Sequence, residues 1–189
     1  GSSLVGSEMC IRDRAERALS AFERWRLRGD TVAHLEYIEV RSETAAQVAM
    51  RTGMLPEEVQ NAWAGGDRGG QRAALAALTQ VGVPYKRYTE EEGVSFDCSG
   101  LAGHAWGRAG VDLPRSSRSQ YRSANRVDPE NARVGDLAWY PGHIMLYLGV
   151  DSLVVHSPVR GRTVEYGTLS EDRARWVRFA DPLTSEISQ

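Results

Sequence analysis

Two cysteines, Cys10 and Cys98, and four histidines, His34, His104, His143 and His156, are the side chains of this sequence best suited to covalent catalysis near neutral pH. Cys98 stands out by its setting. The stretch Ser95-Phe96-Asp97-Cys98-Ser99-Gly100-Leu101 leads from a short polar turn into an apolar helical run of Leu101, Ala102, Ala105 and Ala109. That pattern predicts Cys98 at a helix N-terminus, where unpaired backbone N–H groups and the helix dipole favour the thiolate. A lone cysteine can equally be a small buried hydrophobe, so the assignment turns on whether the chain supplies a base.

His104 is a poor partner: six residues further along the same helix, it lies roughly 120° round the axis. His34 reads as a surface or packing residue of the N-terminal helices. His143 follows Pro141-Gly142 and opens a predicted strand, at a sheet edge or end where it can face a cleft. His156 closes the next strand, and adjacent antiparallel strands can bring the two imidazoles within hydrogen-bond reach. Cys98, His143 and His156 thus fit the roles of nucleophile, base and orienting group in thiol acyl transfer. A thiolate–imidazolium pair is the expected resting form.

The elements that must position these residues follow from periodicity. Apolar residues Ala15, Ala18, Leu19, Phe22 and Trp25 predict a first helix. Gly29-Asp30 breaks it, and Val32, Leu35 and Ile38 continue an apolar stripe on the next. Ser42 to Trp63 reads as helix-turn-helix, with Gly53 at the turn, Pro56 at the second helix start, and Val59 and Trp63 inward. Gly65-Gly66-Asp67-Arg68-Gly69-Gly70 reads as a boundary, because glycine at this density disfavours helix and strand. Gln71 to Val81 is the next predicted helix, and the Cys98 helix is expected to end near Gly110. Beyond Pro114–Tyr121, a loop entering a short helix, five runs rich in β-branched and aromatic residues predict an antiparallel meander: Asp136–Tyr140, His143–Val150, Leu153–Ser157, Thr163–Tyr166 and Trp176–Phe179. Helices first and strands afterwards imply an α+β domain with a sheet packed on the nucleophile helix. The expected organisation is a tail over 1–14, a helical annex over 15–66, a catalytic domain over 71–180 and a tail over 181–189.

With 189 residues and 41% hydrophobic content the chain can build one sizeable core. Its net charge of -2 gives no global pull toward nucleic acid or anionic membrane. A helix-turn-helix could enter DNA, but Thr31 to Trp63 sets Arg41 and Arg51 against Glu36, Glu39, Glu43, Glu57 and Glu58, the wrong balance for phosphates. No nucleic-acid partner is expected, and no apolar run approaches the roughly 20 residues of a membrane span. No paired Cys/His spacing suggests a metal, so no cofactor is expected. Gly1-Ser2-Ser3 resembles a cloning scar and Leu4 to Arg14 a translated sequencing adapter, a segment set outside the fold whose lack of a signal-peptide pattern says nothing of secretion.

Five blocks resemble the NlpC/P60 cell-wall cysteine peptidases. They are Phe96 to Leu101; Pro114-Arg115-Ser116-Ser117 with Gln120; Arg133 to Leu137; Gly142 to Gly149; and Val155-His156-Ser157-Pro158. The resemblance covers about Gln71 to Phe179 and implies a papain-like fold. It also implies hydrolysis of a peptidoglycan stem peptide, at the bond between D-γ-glutamyl and a diamino acid such as diaminopimelate. By that resemblance Cys98 is the nucleophile, His143 the base and His156 the orienting residue. Tyr85 matches the tyrosine that shapes the oxyanion site, with Tyr88 the other candidate. Asp97 and Ser99 match stem-peptide contacts, with Asp97 alternatively a helix cap, and Arg115 and Ser116 either line the groove or hold their loop. Where many relatives carry a Trp-Gly-Gly turn after the tyrosine, this chain has the charged Lys86 to Gly93. The substrate implies a secreted or wall-associated protein. Two other classes stay open: an amidase or acyltransferase on a non-wall substrate, and an inactive wall-binding module.

Overall fold

The computed structural model describes residues 2–183, and side chains from Cys10 onward. Helix α1 (Ser2–Arg28) ends at Gly29. Asp30 caps α2 (Thr31–Thr52) by accepting the Ala33 N–H at 3.1 Å, and Gly53 closes it in the left-handed conformation at φ 74°. Pro56 opens α3 (Pro56–Ala64), the position where its missing N–H costs nothing. Next come α4 (Arg68–Leu78), the short hairpin β1 (Glu90–Glu91) and β2 (Ser95–Phe96), α5 (Cys98–Arg108) and α6 (Ser117–Ser123). The rest of the sheet is β3 (Asn125–Val127), β4 (Leu137–Tyr140), β5 (His143–Tyr147), β6 (Leu153–His156), β7 (Glu165–Thr168) and β8 (Arg178–Asp181), with α7 (Glu171–Ala174) between the last two.

The six-stranded sheet has the order β3-β8-β4-β5-β6-β7, and every neighbouring pair is antiparallel. The predicted meander holds for β4 to β7 only. The last strand crosses back to β4, because Ala138 and Leu137 pair with Phe179 and Ala180, and the unpredicted β3 adds beyond it. One sheet face, through Leu137, Ile144, Leu146 and Val155, packs on Leu101, Ala105 and Trp106 of α5 and on the alanine-rich α4. Fully burying a side chain such as Leu101 contributes roughly 2 kcal/mol. The other face carries a smaller cluster of Ala138, Met145, Tyr147 and Val154 under Phe179, Val177 and Leu169.

Three expectations are corrected. Val32 and Leu35 are 75% and 62% exposed, and Ile38 is also exposed. The buried face of α2 is Ala33, Tyr37, Val40, Thr44, Ala45 and Val48, since the larger inward set belongs to a helix unbroken through Ser42. The segment Leu4 to Arg14 joins α1 rather than standing outside the fold: Ile11 is fully buried and Arg12 donates to the Thr79 carbonyl at 3.0 Å. The glycine stretch is not a loose linker either. Helix α4 begins at Arg68, and a Cβ on Gly70 would sit 2.2 Å from the Val134 carbonyl oxygen, so glycine allows helix and turn to touch.

One hydrophobic cluster therefore runs from Ile11 to Val164, across the expected division between annex and domain. The buried Gln71 side chain accepts from Tyr37 and Arg41 and donates to the carbonyls of Trp63 and Gly66, while the Trp63 indole donates to Leu148 at 2.9 Å. Of the expected 181–189 tail, Asp181 belongs to β8 and Leu183 packs on the core; 184–189 lie outside the described residues.

Candidate active site

Cys98 is the first residue of α5, and its first turn is held by a dense polar web. Asp97 caps the helix, its Oδ1 accepting the Gly100 N–H at 2.7 Å, while its Oδ2 accepts the Tyr88 N–H at 2.8 Å. Arg115 forks onto both oxygens at 3.0 and 2.8 Å, and also donates to Ser99 Oγ at 2.8 Å and reaches Glu90 at 3.2 Å. Gln120 donates to the Ser99 carbonyl at 2.8 Å. Gly100 is glycine for space: a Cβ there would lie 2.2 Å from the Thr89 carbonyl oxygen. The Ser157 hydroxyl donates to the Phe96 carbonyl at 2.8 Å, tying the residue after His156 to the approach to Cys98.

On strand β5 the residue after His143, Ile144, comes close enough to Cys98 for its amide to favour the thiolate. No hydrogen bond joins Cys98 to His143 among the described residues. His143 Nε2 and His156 Nδ1 are 2.8 Å apart with both rings buried. Strands β5 and β6 pair Leu146 with Val155, and continuing this register sets His156 opposite Met145. The histidines are thus diagonal neighbours on one sheet face rather than a facing pair, a separation two imidazoles can bridge. His156 directly faces Glu165 of β7, its Nε2 standing 3.2 Å from the Glu165 carboxylate, which also pairs with Arg162 at the surface.

The electrostatics oppose the expected resting ion pair. Burial pushes the Cys98 thiol up, outweighing the Ile144, Ser99 and Cys98 amides that favour the thiolate. Burial also pulls His143 down to about 3, with the charges of His156 and Arg173 acting in the same direction. His156 is lowered by burial, against the pull of Glu165. The free protein therefore favours a neutral thiol beside a neutral imidazole. Helix-end donors did not decide the charge state because His143 is buried and Cys98 partly so.

Tyr85 is strapped between Arg162 and the Phe96 strand, its N–H donating to the Arg162 carbonyl at 2.9 Å. Burial raises its hydroxyl, as do the nearby Cys98 and Asp97. Tyr88 is 81% exposed at φ 63°. Ser116 is exposed and caps α6 through the Ser119 N–H at 3.2 Å. His104 packs against Phe96, and His34 stacks on Trp25 at 3.8 Å between centroids, both away from the pair. Cys10 is exposed on α1. Glu165, Arg162 and Arg173 were not singled out from the sequence. Glu165 does lie in a predicted strand, but only the β6–β7 register identifies it as the partner of His156. Among the described residues no group of three or more His, Cys, Asp or Glu side chains could hold a metal, and no helix is long and apolar enough to cross a membrane.

The model of the NlpC/P60 family matches residues 82–178, just over half of the chain and all of this site. The peptidoglycan endopeptidase RipB of Mycobacterium tuberculosis is 42% identical over 73 residues, 36% of this chain and 30% of its own length. The gamma-DL-glutamyl hydrolase of Bacillus subtilis is 36% identical over 90 residues, 43% of this chain and 22% of its own. The chain thus spans less than a third of either relative. Among solved structures, RipD of Mycobacterium tuberculosis, described as a non-catalytic domain adapted to peptidoglycan binding, is 28% identical. It aligns with a TM-score of 0.52, over 62% of this chain and 100% of its own.

Proposed function

The chain belongs to the NlpC/P60 family, and from that premise we propose that it is a cysteine peptidase. Its substrate is a peptidoglycan stem peptide, cleaved between D-γ-glutamyl and diaminopimelate. The observation that carries this reading is the 2.8 Å contact between His143 and His156, with Ile144, the residue after His143, close enough to favour the Cys98 thiolate. The kinship to a peptidoglycan endopeptidase and a gamma-glutamyl hydrolase supports the substrate class.

The proton path follows from the hydrogen-bond partners. Glu165 can only accept, so His156 donates from Nε2 and keeps a lone pair on Nδ1. His143 then donates from Nε2 to that lone pair, leaving its own Nδ1 free to accept the thiol proton. Because the neutral forms prevail, that transfer accompanies attack, once substrate brings sulfur and imidazole within hydrogen-bond reach. Sulfur bonds to the scissile carbonyl carbon, and the Cys98 N–H with the Tyr85 hydroxyl stabilises the oxyanion. The C–N bond breaks as His143 returns the proton to the leaving amine, and water then hydrolyses the thioester by the same base. Asp97, Ser99 and Arg115 serve this chemistry by holding Cys98 in place, with Arg115 and Ser116 on the wall of the acyl-side groove. A protein with this substrate acts outside the membrane, secreted or bound to the wall.

Mass spectrometry of muropeptides tests the reading, using diaminopimelate-type peptidoglycan with the protein and with Cys98→Ala. New fragments ending at D-glutamate or D-isoglutamine that vanish with Cys98→Ala are expected. Fragments from neither protein, with binding to sacculi intact, would favour a binding module of the RipD kind; turnover of small amides alone would point to a non-wall substrate.

A further inference from the structure

Several charged side chains around the site are spoken for, whereas Arg87 and Arg160 near Tyr85, and Arg173 near the histidines, have no ion pair among the described residues. Arg115 is held by Asp97 and Glu90, Arg162 by Glu165, and Arg175 by Asp172. Arg173, on α7, makes no ion pair or side-chain hydrogen bond among the described residues. It lines an open cleft of about 430 Å³ with Tyr140, Pro141 and Trp176, and the Trp176 indole is 70% exposed. This cleft adjoins the histidines: Tyr140 is the cross-strand partner of His143, and their ring centroids are 5.4 Å apart. The Arg173 charge is felt by both His143 and His156, at His156 against the stronger pull of Glu165.

We infer that the Tyr140–Pro141–Arg173–Trp176 cleft is the subsite for the leaving half of the substrate, and that it takes an amine fragment whose aliphatic chain ends in a free carboxylate. The assignment of side rests on the peptidase reading above. His143 must protonate the leaving amine, so the leaving fragment lies on the His143 side of the scissile bond. The acyl side falls to the Cys98 helix end, where Arg115 is already consumed. An exposed indole next to a phenol ring offers a flat apolar platform for methylenes, and an unpaired guanidinium beyond it is suited to a bidentate carboxylate. Diaminopimelate linked through one amine fits this description: three methylenes separate the reacting centre from the second, which carries its own carboxylate. Arg173 lies on α7 and Trp176 just beyond it, both outside the five motif-bearing blocks.

The experiment separates binding from turnover. Diaminopimelyl-D-alanine, and the same dipeptide amidated at the distal carboxylate, are titrated into full-length Cys98→Ala while the Trp176 indole resonance is followed by NMR, assigned with Trp176→Phe. A saturable shift with the free acid, at least fivefold weaker with the amide, is expected. Adding Arg173→Gln should weaken the free acid to the level of the amide and leave the amide unchanged. An unmoved Trp176 resonance, equal binding of acid and amide, or an acid preference that survives Arg173→Gln would overturn the subsite. Loss of the peptidase reading would look different: the shift would persist while the parental protein releases no fragments from peptidoglycan.

Discussion

Around Cys98 the polar side chains are committed to one another, whereas around His143 and His156 they run outward and end in charges that reach solvent. On the first side the Asp97 oxygens take five hydrogen bonds and Arg115 reaches Asp97, Ser99, Thr89 and Glu90, so the helix end is already organised before any ligand arrives. On the second, the chain from His143 through His156 to Glu165 closes on the exposed Arg162, and Arg173 stands uncompensated beside it. The contrast separates two tasks. On the proposed function, a nucleophile must be held still, which rewards internal bonds, while a base and the proposed flanking subsite must respond to substrate, which rewards groups left available.

The largest effect is expected where commitment is densest. Asp97→Ala removes the cap of α5, worth ~1 kcal/mol, and leaves the half-exposed Arg115 without its main partner. The melting temperature should fall by several degrees, and hydrolysis by at least about a hundredfold, because Cys98 loses its fixed position. Near-normal turnover in a folded Asp97→Ala protein would mean that the web is not what positions the nucleophile.

Asp136 provides the counter-example of a buried carboxylate without a close cation. It accepts the Arg133 N–H at 2.7 Å, yet burial raises it to about 7, with Asp181 adding to the shift. An acid whose folded value is raised contributes stability that is complete below its unfolded value near 4 and disappears as pH climbs through about 7. Asp136→Asn should therefore gain stability relative to the parent between pH 5 and pH 8, by no more than a few kcal/mol at about 1.4 kcal/mol per unit. Thermal melts of both proteins across that range read the difference, and parallel curves would show Asp136 to be charged in the fold.

The smallest effect is expected at the open end. Glu165→Gln keeps the shape but loses the obligate acceptor, so His156 can flip tautomer and His143 loses its defined partner. A fall in kcat of about tenfold with little change in KM is expected. His156, followed by ring NMR, should titrate at lower pH, because the carboxylate that supports its protonated form is gone. A KM change alone would reassign Glu165 to substrate contact, and unchanged kinetics would end the relay at His156.

Much of this arrangement was legible locally. A cap residue followed by an apolar helical run identifies Cys98, and glycine-bounded β-rich runs identify the strands that carry His143 and His156, because each signal is complete within about ten residues. Reading failed where a residue's meaning depends on what packs against it. Gly69 and Gly70 looked like a break since their propensity was weighed without their neighbours, Leu183 against Gly69 and the Val134–Gly135 turn that needs Gly70 small. Val32, Leu35 and Ile38 looked inward because hydrophobicity marks a possible face, while the partner helix selects the actual one.

The local chemistry of the chain thus set the element types, the helix-end position of the cysteine and the strand positions of the two histidines. Strand register, burial and the return of β8 decided the rest: the diagonal pairing of His143 with His156, the facing of His156 and Glu165, the preference for a neutral thiol and the freedom of Arg173. These depend on residues far apart in sequence, whose separation is set only when the sheet closes on α5. Short-range propensity carries no information about which distant side chain will stand opposite, or how much water will remain between them.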